Sequence, residues 1–370
     1  MSNTTHSILL TGATGFLGSE LLQQLLADGE SVVVLSRRPL PDLTEQGVKV
    51  VVGDILDADS VKAAAEGCDR LYHCAGLVSR DPEDNLRMTE VNIEGTKIVL
   101  DAAREAGVRR AVVASTSGTV AISEKKSPLV NENSPVPYRL VGKWGYYRSK
   151  LYAEMEALKR NTEGFEVLCV NPSLLLGPGD ERGHSVEDIR LFLEQRIAGV
   201  PPGGLSFVDV RDVAVAMRSA MLKGRPGHRY LLGSSNLTFE EFFGRLERIS
   251  GIKAPWMPLP NNINLVSFGN KLLNRVQEFL GEAEGPDEVS LEMSQYFWYL
   301  DNTKAVEELG FEPRDSMQTL KDTVMDLMDR GVVWPQDHES TGLEALQKLN
   351  TRAIRGVFQK IQDTTSGSSS

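Results

Sequence analysis

Three glycines at three-residue intervals, Gly12, Gly15 and Gly18, separate the apolar run Ser7–Thr11 from a stretch of helical period at residues 19–27. A turn without Cβ atoms lets backbone N–H groups, and the positive end of the helix that follows, come close to a phosphate. The spacing is G-x-x-G-x-x-G rather than the commoner G-x-G-x-x-G, and glycines also serve ordinary turns. Here the strand before and the amphipathic helix after supply what a lone glycine pattern lacks. The run Gly12-Ala13-Thr14-Gly15-Phe16-Leu17-Gly18 therefore predicts a pyrophosphate cradle and a bound dinucleotide, with Gly12, Thr14, Gly15, Phe16, Leu17 and Gly18 at the ligand.

Apolar runs and helical periods keep alternating after that turn. Strands are expected at residues 7–11, 32–36, 48–52, 70–74, 110–115 and 166–170, with helices at 85–106 and 145–160 among those between them. Val- and Leu-rich strands alternating with helices predict an α/β chain with a parallel, doubly wound Rossmann sheet, whose ligand crevice lies at the carboxyl ends of the strands. After Pro172 the composition changes. Gly177-Pro178-Gly179 and Pro201-Pro202-Gly203-Gly204 mark loops around a helix expected at 186–198. Residues 207–217 read as a strand running into a helix, returning to the main sheet. The expected organisation is a dinucleotide-binding domain over 1–175 with a return segment near 205–235, and a smaller C-terminal α/β substrate-binding domain over 176–335. An amphipathic stretch at 262–280 and closing helices at 302–309 and 316–330 belong to the latter. A C-terminal helix at 336–362, apolar on one side through Leu346, Leu349, Ile354, Val357, Phe358 and Ile361, precedes a disordered Ser/Gly tail at 363–370. That helix is expected to pack on its own subunit or a neighbour, with membrane-surface association through 343–361 as the alternative.

Charge narrows the partners. A net charge of -11 over 370 residues argues against nonspecific binding to nucleic acid or an anionic membrane, which leaves a small molecule. Three cysteines, Cys68, Cys74 and Cys169, and five scattered histidines have no metal-ligand spacing, so no metal is expected. The sparse cysteines, the polar N-terminus without a signal-peptide pattern and the lack of a spanning apolar run predict a cytoplasmic protein with reduced thiols.

Tyr146 and Lys150 stand four apart in a helical run, which puts both side chains on one face. An ordinary phenol is a poor acid-base group at neutral pH, and an adjacent ammonium is expected to lower its pKa. Tyr146 would then exchange a proton with a carbonyl or alcohol oxygen while Lys150 reaches ribose hydroxyls. Tyr147 has no lysine at the same spacing. Ser115-Thr116-Ser117 ends the fifth expected strand, where a hydroxyl would meet developing charge on a substrate oxygen, or simply cap a turn.

These features together resemble the extended short-chain dehydrogenase/reductase family, in the branch of dihydroflavonol-reductase-like enzymes and hopanoid-associated sugar epimerases. The resemblance spans roughly residues 5–330 and rests on the glycine turn, Gly53-Asp54, His73-Cys74-Ala75-Gly76, Asn92-Ile93-Glu94-Gly95-Thr96, Ser115-Thr116-Ser117, Tyr146 to Lys150, Asn171-Pro172-Ser173 and Phe207-Val208-Asp209-Val210-Arg211-Asp212-Val213. It implies Thr116 as the catalytic hydroxyl, with Ser117 as the alternate, Tyr146 as general acid and Lys150 as its partner. Asn92 is implied as a proton relay or as a brace between helix and strand. Asp54, with Ile55, would contact the adenine, or Asp54 would cap the next helix; Ala75, Gly76, Pro172 and Ser173 would pass close to the cofactor. A homodimer through the helices of Asn92 and Tyr146 is also implied.

Cofactor choice has a physical handle at the end of the second strand. An NAD site usually places an acid there to hold the ribose hydroxyls and repel a 2′-phosphate. This chain has Ser36 followed by Arg37 and Arg38, so NADP(H) is favoured, with NAD(H) the alternative. The expectation is an NADP(H)-dependent oxidoreductase acting on a carbonyl or secondary alcohol of a rather hydrophobic small molecule. The substrate would lie against Leu77, Val78, Trp144, Asn171, Leu174 and the segment 186–207. The alternative is a nucleotide-sugar epimerase with tightly bound NAD, its diphosphate held by Asn171, Arg182, Arg190 or Arg196. A dehydratase would carry an acidic pair where Gly118 and Thr119 stand, and a non-catalytic nucleotide sensor would not need Thr116, Tyr146 and Lys150 together.

Overall fold

A computed structural model describes residues 7–260 and 286–333, apart from 184 and 198. Strands β1 (Ser7–Thr11), β2 (Ser31–Ser36), β3 (Lys49–Val52), β4 (Cys68–His73), β5 (Arg110–Ala114) and β6 (Glu166–Pro172) lie parallel in one sheet. β7 (Leu174–Leu176) and β8 (Gly204–Asp209) leave it; β9 (Arg229–Leu232) returns beside β6, giving the order β3-β2-β1-β4-β5-β6-β9. β10 (Ser235–Thr238) pairs antiparallel with β8, which pairs parallel with β7 in a small second sheet.

Parallel strands need cover on both faces, and the pleat sends alternate side chains to opposite sides. In β1, Ile8 and Leu10 join one core with the helices Phe16–Ala27 and Val210–Lys223. Leu9 joins another, with the helices Ala58–Ala65 and Gly95–Glu105. Both faces being apolar is why these strands read as continuous apolar runs. Strand order reverses at β1, between β2 and β4, and the crevice opens beyond the carboxyl ends there.

Three expectations change on the structure. The strand expected near 207 is β8 and belongs to the small sheet, since β7 follows β6 after a single residue, Ser173, and takes β8 as its partner. The segment that rejoins the large sheet is β9. The helix expected at 186–198 is Glu187–Leu193, ended where Gln195 takes a φ of 58°, outside the helical region. The long helix at 85–106 is a helical run interrupted by a wider π turn, Thr89–Glu94, with Asn92 inside it. The closing helices are Thr303–Leu309 and Ser316–Asp329. The expectations for 262–280, 336–362 and 363–370 lie outside the described residues.

Candidate active site

The glycine turn is built for close approach. Gly12 has a φ of 79°, and a Cβ on it would stand 2.5 Å from the backbone nitrogen of Ala75, just past β4. A Cβ on Gly18 would strike the Gly12 carbonyl, so its absence packs the helix against the turn. Gly15 caps the helix Phe16–Ala27 without a side-chain bond and with no acidic residue in the first turn. The helix's positive end is thus uncompensated by side chains. Leu17 is buried in the core, so only its backbone is placed to meet a ligand.

At the end of β2, Ser36 Oγ accepts from the Arg38 backbone N–H at 3.4 Å. Arg37 and Arg38 are exposed and have no ion-pair partner among the described residues. Asp54 accepts from Leu56 N at 3.0 Å and so closes a turn; the cap of the following helix is Asp57, which accepts from Asp59 N. Beyond β6, Ser173 is buried with its Oγ unpartnered among the described residues, next to Pro172. The bare glycine turn, two free guanidinium groups and this orphaned hydroxyl all fit an NAD(P) dinucleotide laid across the strand ends.

The helix Gly145–Lys159, which carries Tyr146 and Lys150, is tied to the end of β5. Lys150 Nζ donates to the Ala114 carbonyl at 2.7 Å, two residues before Thr116. Thr116 is half-buried, accepts from Gly118 N at 3.3 Å and caps the short turn Ser117–Thr119. Ser115 is tied up with Glu154, and Ser117 is buried, which leaves Thr116 as the accessible hydroxyl of the three. Tyr146 stacks edge-on to Tyr147, ring centroids 5.1 Å apart. Burial pushes the Tyr146 phenol up, helped by Tyr147, while burial lowers the Lys150 ammonium against the pull of Cys169, Glu154 and Cys74. The expected lowering of Tyr146 by Lys150 is therefore corrected: the ammonium is engaged by the Ala114 carbonyl, and desolvation dominates at the phenol.

Asn92 is a brace. Its Oδ1 accepts from Leu77 N at 2.8 Å, and its Nδ2 donates to Leu77 O at 3.0 Å and to Ser149 Oγ at 2.9 Å. Ser149 in turn donates to the Tyr146 carbonyl. The loop Ala75 to Leu77 is held at its other end by Thr11, whose Oγ1 accepts from Ala75 N and is hydrogen-bonded to His73 Nδ1 at 2.7 Å. The other ring nitrogen of His73 meets Thr96 Oγ1, which donates to the Asn92 carbonyl. Burial, with the nearby Lys150 charge, depresses the His73 pKa to about 3 and so keeps the ring neutral.

Glu154 and Arg229 were not legible as site residues. Glu154 Oε2 accepts from Ser115, from Thr119 at 3.1 Å and from Asn171 Nδ2 at 2.6 Å, while Arg229 of β9 pairs with Oε1 at 2.9 Å. Asn171 also donates to the Thr116 carbonyl at 3.1 Å, so this buried hub supports the Thr116 turn from below. The one sequence signal was the position of Glu154, four residues beyond Lys150 on the same helical face.

Two expected substrate contacts are corrected. Asn171 is wholly buried on Glu154, and Trp144 is buried against Tyr147, Tyr296 and Trp298 with its indole N–H on Glu292. The segment 186–207 mostly packs inward, with Val186, Ile189, Phe192 and Phe207 in the apolar cluster around the small sheet. Leu77 and Leu174 are half-buried and Val78 is exposed, as a crevice wall requires. Among the described residues no His, Cys, Asp or Glu cluster is suited to a metal, and no helix is long and apolar enough to cross a membrane.

Comparison with known proteins agrees with this fold. Residues 8–233 match the model of the NAD dependent epimerase/dehydratase family. The chain is 32% identical over 342 residues to a putative dihydroflavonol 4-reductase of Synechocystis, covering 88% of this chain and 96% of that protein. It is also 32% identical over 333 residues to sterol demethylase protein B of Methylococcus capsulatus, covering 88% and 99%. Among solved structures, that of gox2253 superposes with a TM-score of 0.74 at 27% identity, over 89% of this chain and 99% of the other. The chain belongs to the NAD dependent epimerase/dehydratase family and is an extended short-chain dehydrogenase/reductase, an enzyme of CH–OH and C=O groups that works with NAD(P).

Proposed function

We propose that the protein is an NADP(H)-dependent reductase of a carbonyl on a small, rather hydrophobic molecule. Bound NADPH would supply the hydride. Thr116 orients and polarises the substrate oxygen, Tyr146 holds the proton that this oxygen receives, and Lys150 binds the ribose and places positive charge beneath the site. The observation that carries the reading is Lys150 Nζ on the Ala114 carbonyl, two residues before Thr116, on the helix that carries Tyr146 one turn earlier. A phenol pushed up by burial keeps its proton at neutral pH, which suits the acid of a reduction. Arg37 and Arg38, free and beside a serine rather than an acid, favour the 2′-phosphate of NADP(H) over NAD(H).

The epimerase alternative loses its diphosphate ligands. Arg190 is bound to Glu187 and Glu194, Arg196 to Glu194, and Asn171 to Glu154; of the four candidates only Arg182 is exposed and free among the described residues. A cytoplasmic homodimer through the helices of Asn92 and Tyr146 completes the proposal, with Leu86 and Tyr152 as exposed apolar groups on those helices. Purified protein is expected to give up its nicotinamide cofactor on dialysis and to bind NADPH more tightly than NADH. Copurifying NAD that does not exchange would overturn the reductase reading.

A further inference from the structure

The carboxylate buried behind the end of β5 does more than fill space. Glu154 is 1% exposed, takes hydrogen bonds from Ser115 Oγ, Thr119 Oγ1 and Asn171 Nδ2, and pairs with Arg229. Ser115 and Thr119 stand on either side of Thr116 in the chain, and Asn171 also donates to the Thr116 carbonyl at 3.1 Å. That carbonyl accepts from the Thr119 backbone N–H as well, at 3.3 Å. One carboxylate thus pins the residue before Thr116, the residue three after it and, through Asn171 and Thr119, its carbonyl. The Thr116 hydroxyl itself has only the long bond from Gly118 N among the described residues, so its own hydrogen is left for a ligand.

The same helix supplies the rest of the grip. Tyr146, Lys150 and Glu154 follow one another at four-residue intervals along Gly145–Lys159. Lys150 holds the Ala114 carbonyl and Glu154 the Ser115 hydroxyl, so two successive residues at the exit of β5 are tied to successive helical turns. This fixes how far along the helix the strand end sits, and with it the place of Thr116 relative to Tyr146. Through Asn171 and Arg229 the carboxylate is also tied to β6 and β9, the next two strands of the sheet. A buried ion pair is a poor device for stability, since apolar side chains of similar volume often do as well. We propose that Glu154 is a positioning residue, which sets the Thr116 hydroxyl in its place relative to Tyr146, with Arg229 as the counterion that holds the carboxylate. The proposal rests on the reductase reading for the reaction that Thr116 serves.

The test is a double-mutant cycle on the full chain. NADPH oxidation is followed with acetophenone, cyclohexanone and 2-octanone for the wild type, Glu154→Gln, Thr116→Ala and the double variant. Glu154→Gln keeps the side-chain volume and is expected to lower kcat about 10- to 100-fold, with KM for the ketone and the NADPH dissociation constant within about twofold of wild type. On the Thr116→Ala background it is expected to cost almost nothing more, which a role in stability alone would not produce. Losses that multiply, or a wild-type kcat in Glu154→Gln, overturn the proposal and spare the reductase reading. A second readout is the Thr116 methyl resonance of NADP⁺-loaded protein carrying ¹³C at its threonine methyls, assigned by its loss in Thr116→Ala. One sharp signal is expected from the wild type and a broadened or split one from Glu154→Gln. Ser115→Ala, which removes a single bond to Glu154, goes through both readouts and decides the matter if Glu154→Gln does not fold. No NADPH oxidation by the wild type with any of the ketones, or a wild-type kcat in Thr116→Ala, would sink the reductase reading. The methyl signal then decides alone, and one sharp signal from Glu154→Gln overturns the positioning.

Discussion

Lys150 shows how contact and burial decide what a motif does. The i, i+4 spacing with Tyr146 puts the ammonium and the phenol on one helical face, but Lys150 donates to the Ala114 carbonyl, and desolvation governs Tyr146. Tyr146→Phe is expected to lower kcat by about 10²–10⁴ while NADPH binding, measured by fluorescence titration, stays near wild type. At the other end of the cofactor, replacing Arg37 and Arg38 together by serine is expected to cut the NADPH-over-NADH binding preference by about tenfold or more, since each charge-assisted bond contributes about 1.5–3 kcal/mol. Retention of the full preference would move the phosphate contact elsewhere. His73 makes a stability prediction whose sign is set by burial. Its ring titrates near 3 when folded and near its ordinary 6.5 when unfolded, so between those values the unfolded chain binds a proton that the folded chain does not. The contribution is complete above pH 6.5 and declines by about 1.4 kcal/mol per pH unit as the pH falls toward 3. Urea titrations at pH 4.5 and 6.5 should show a smaller loss for His73→Gln than for the wild type. Equal losses would mean that His73 is not buried neutral.

At the scale of elements, legibility follows the range of the interaction. β1 to β6 were readable because parallel strands buried on both faces leave an apolar run, and the glycine turn was readable because positive φ and close approach demand glycine within a few residues of one another. The Gly12→Ala variant, strained at a φ of 79° and blocked by Ala75, is expected to lose about 1–3 kcal/mol in chemical denaturation and to bind cofactor poorly. Wild-type stability and binding in that variant would remove the turn from the site. The places of β8 and β9 were not readable, because a short strand carries no mark of which sheet will take it. Glu154 stayed hidden for the same reason. Its partners Ser115, Thr119, Asn171 and Arg229 come from the residue after β5, the turn beyond it, β6 and β9, and only the folded chain assembles them.

At the scale of the whole molecule, the polar bridge from Arg80 to Asp287 and Ser290 ties the loop after β4 to the start of the helix Glu288–Met293. Sedimentation is expected to give twice the chain mass, with Tyr152→Glu shifting the protein toward monomer; an unchanged mass would place the interface elsewhere. The central claim is transfer of hydride from NADPH to a carbonyl carbon with Tyr146 as the acid. Its most direct measurement follows deuterium from C4 of the nicotinamide of labelled NADPH into the alcohol formed from a reduced ketone. The account predicts one deuterium on the carbinol carbon for each NADPH oxidised by the wild type, and almost none with Tyr146→Phe. NADPH left unchanged across a broad ketone panel, or equal transfer by the Tyr146→Phe variant, would contradict it.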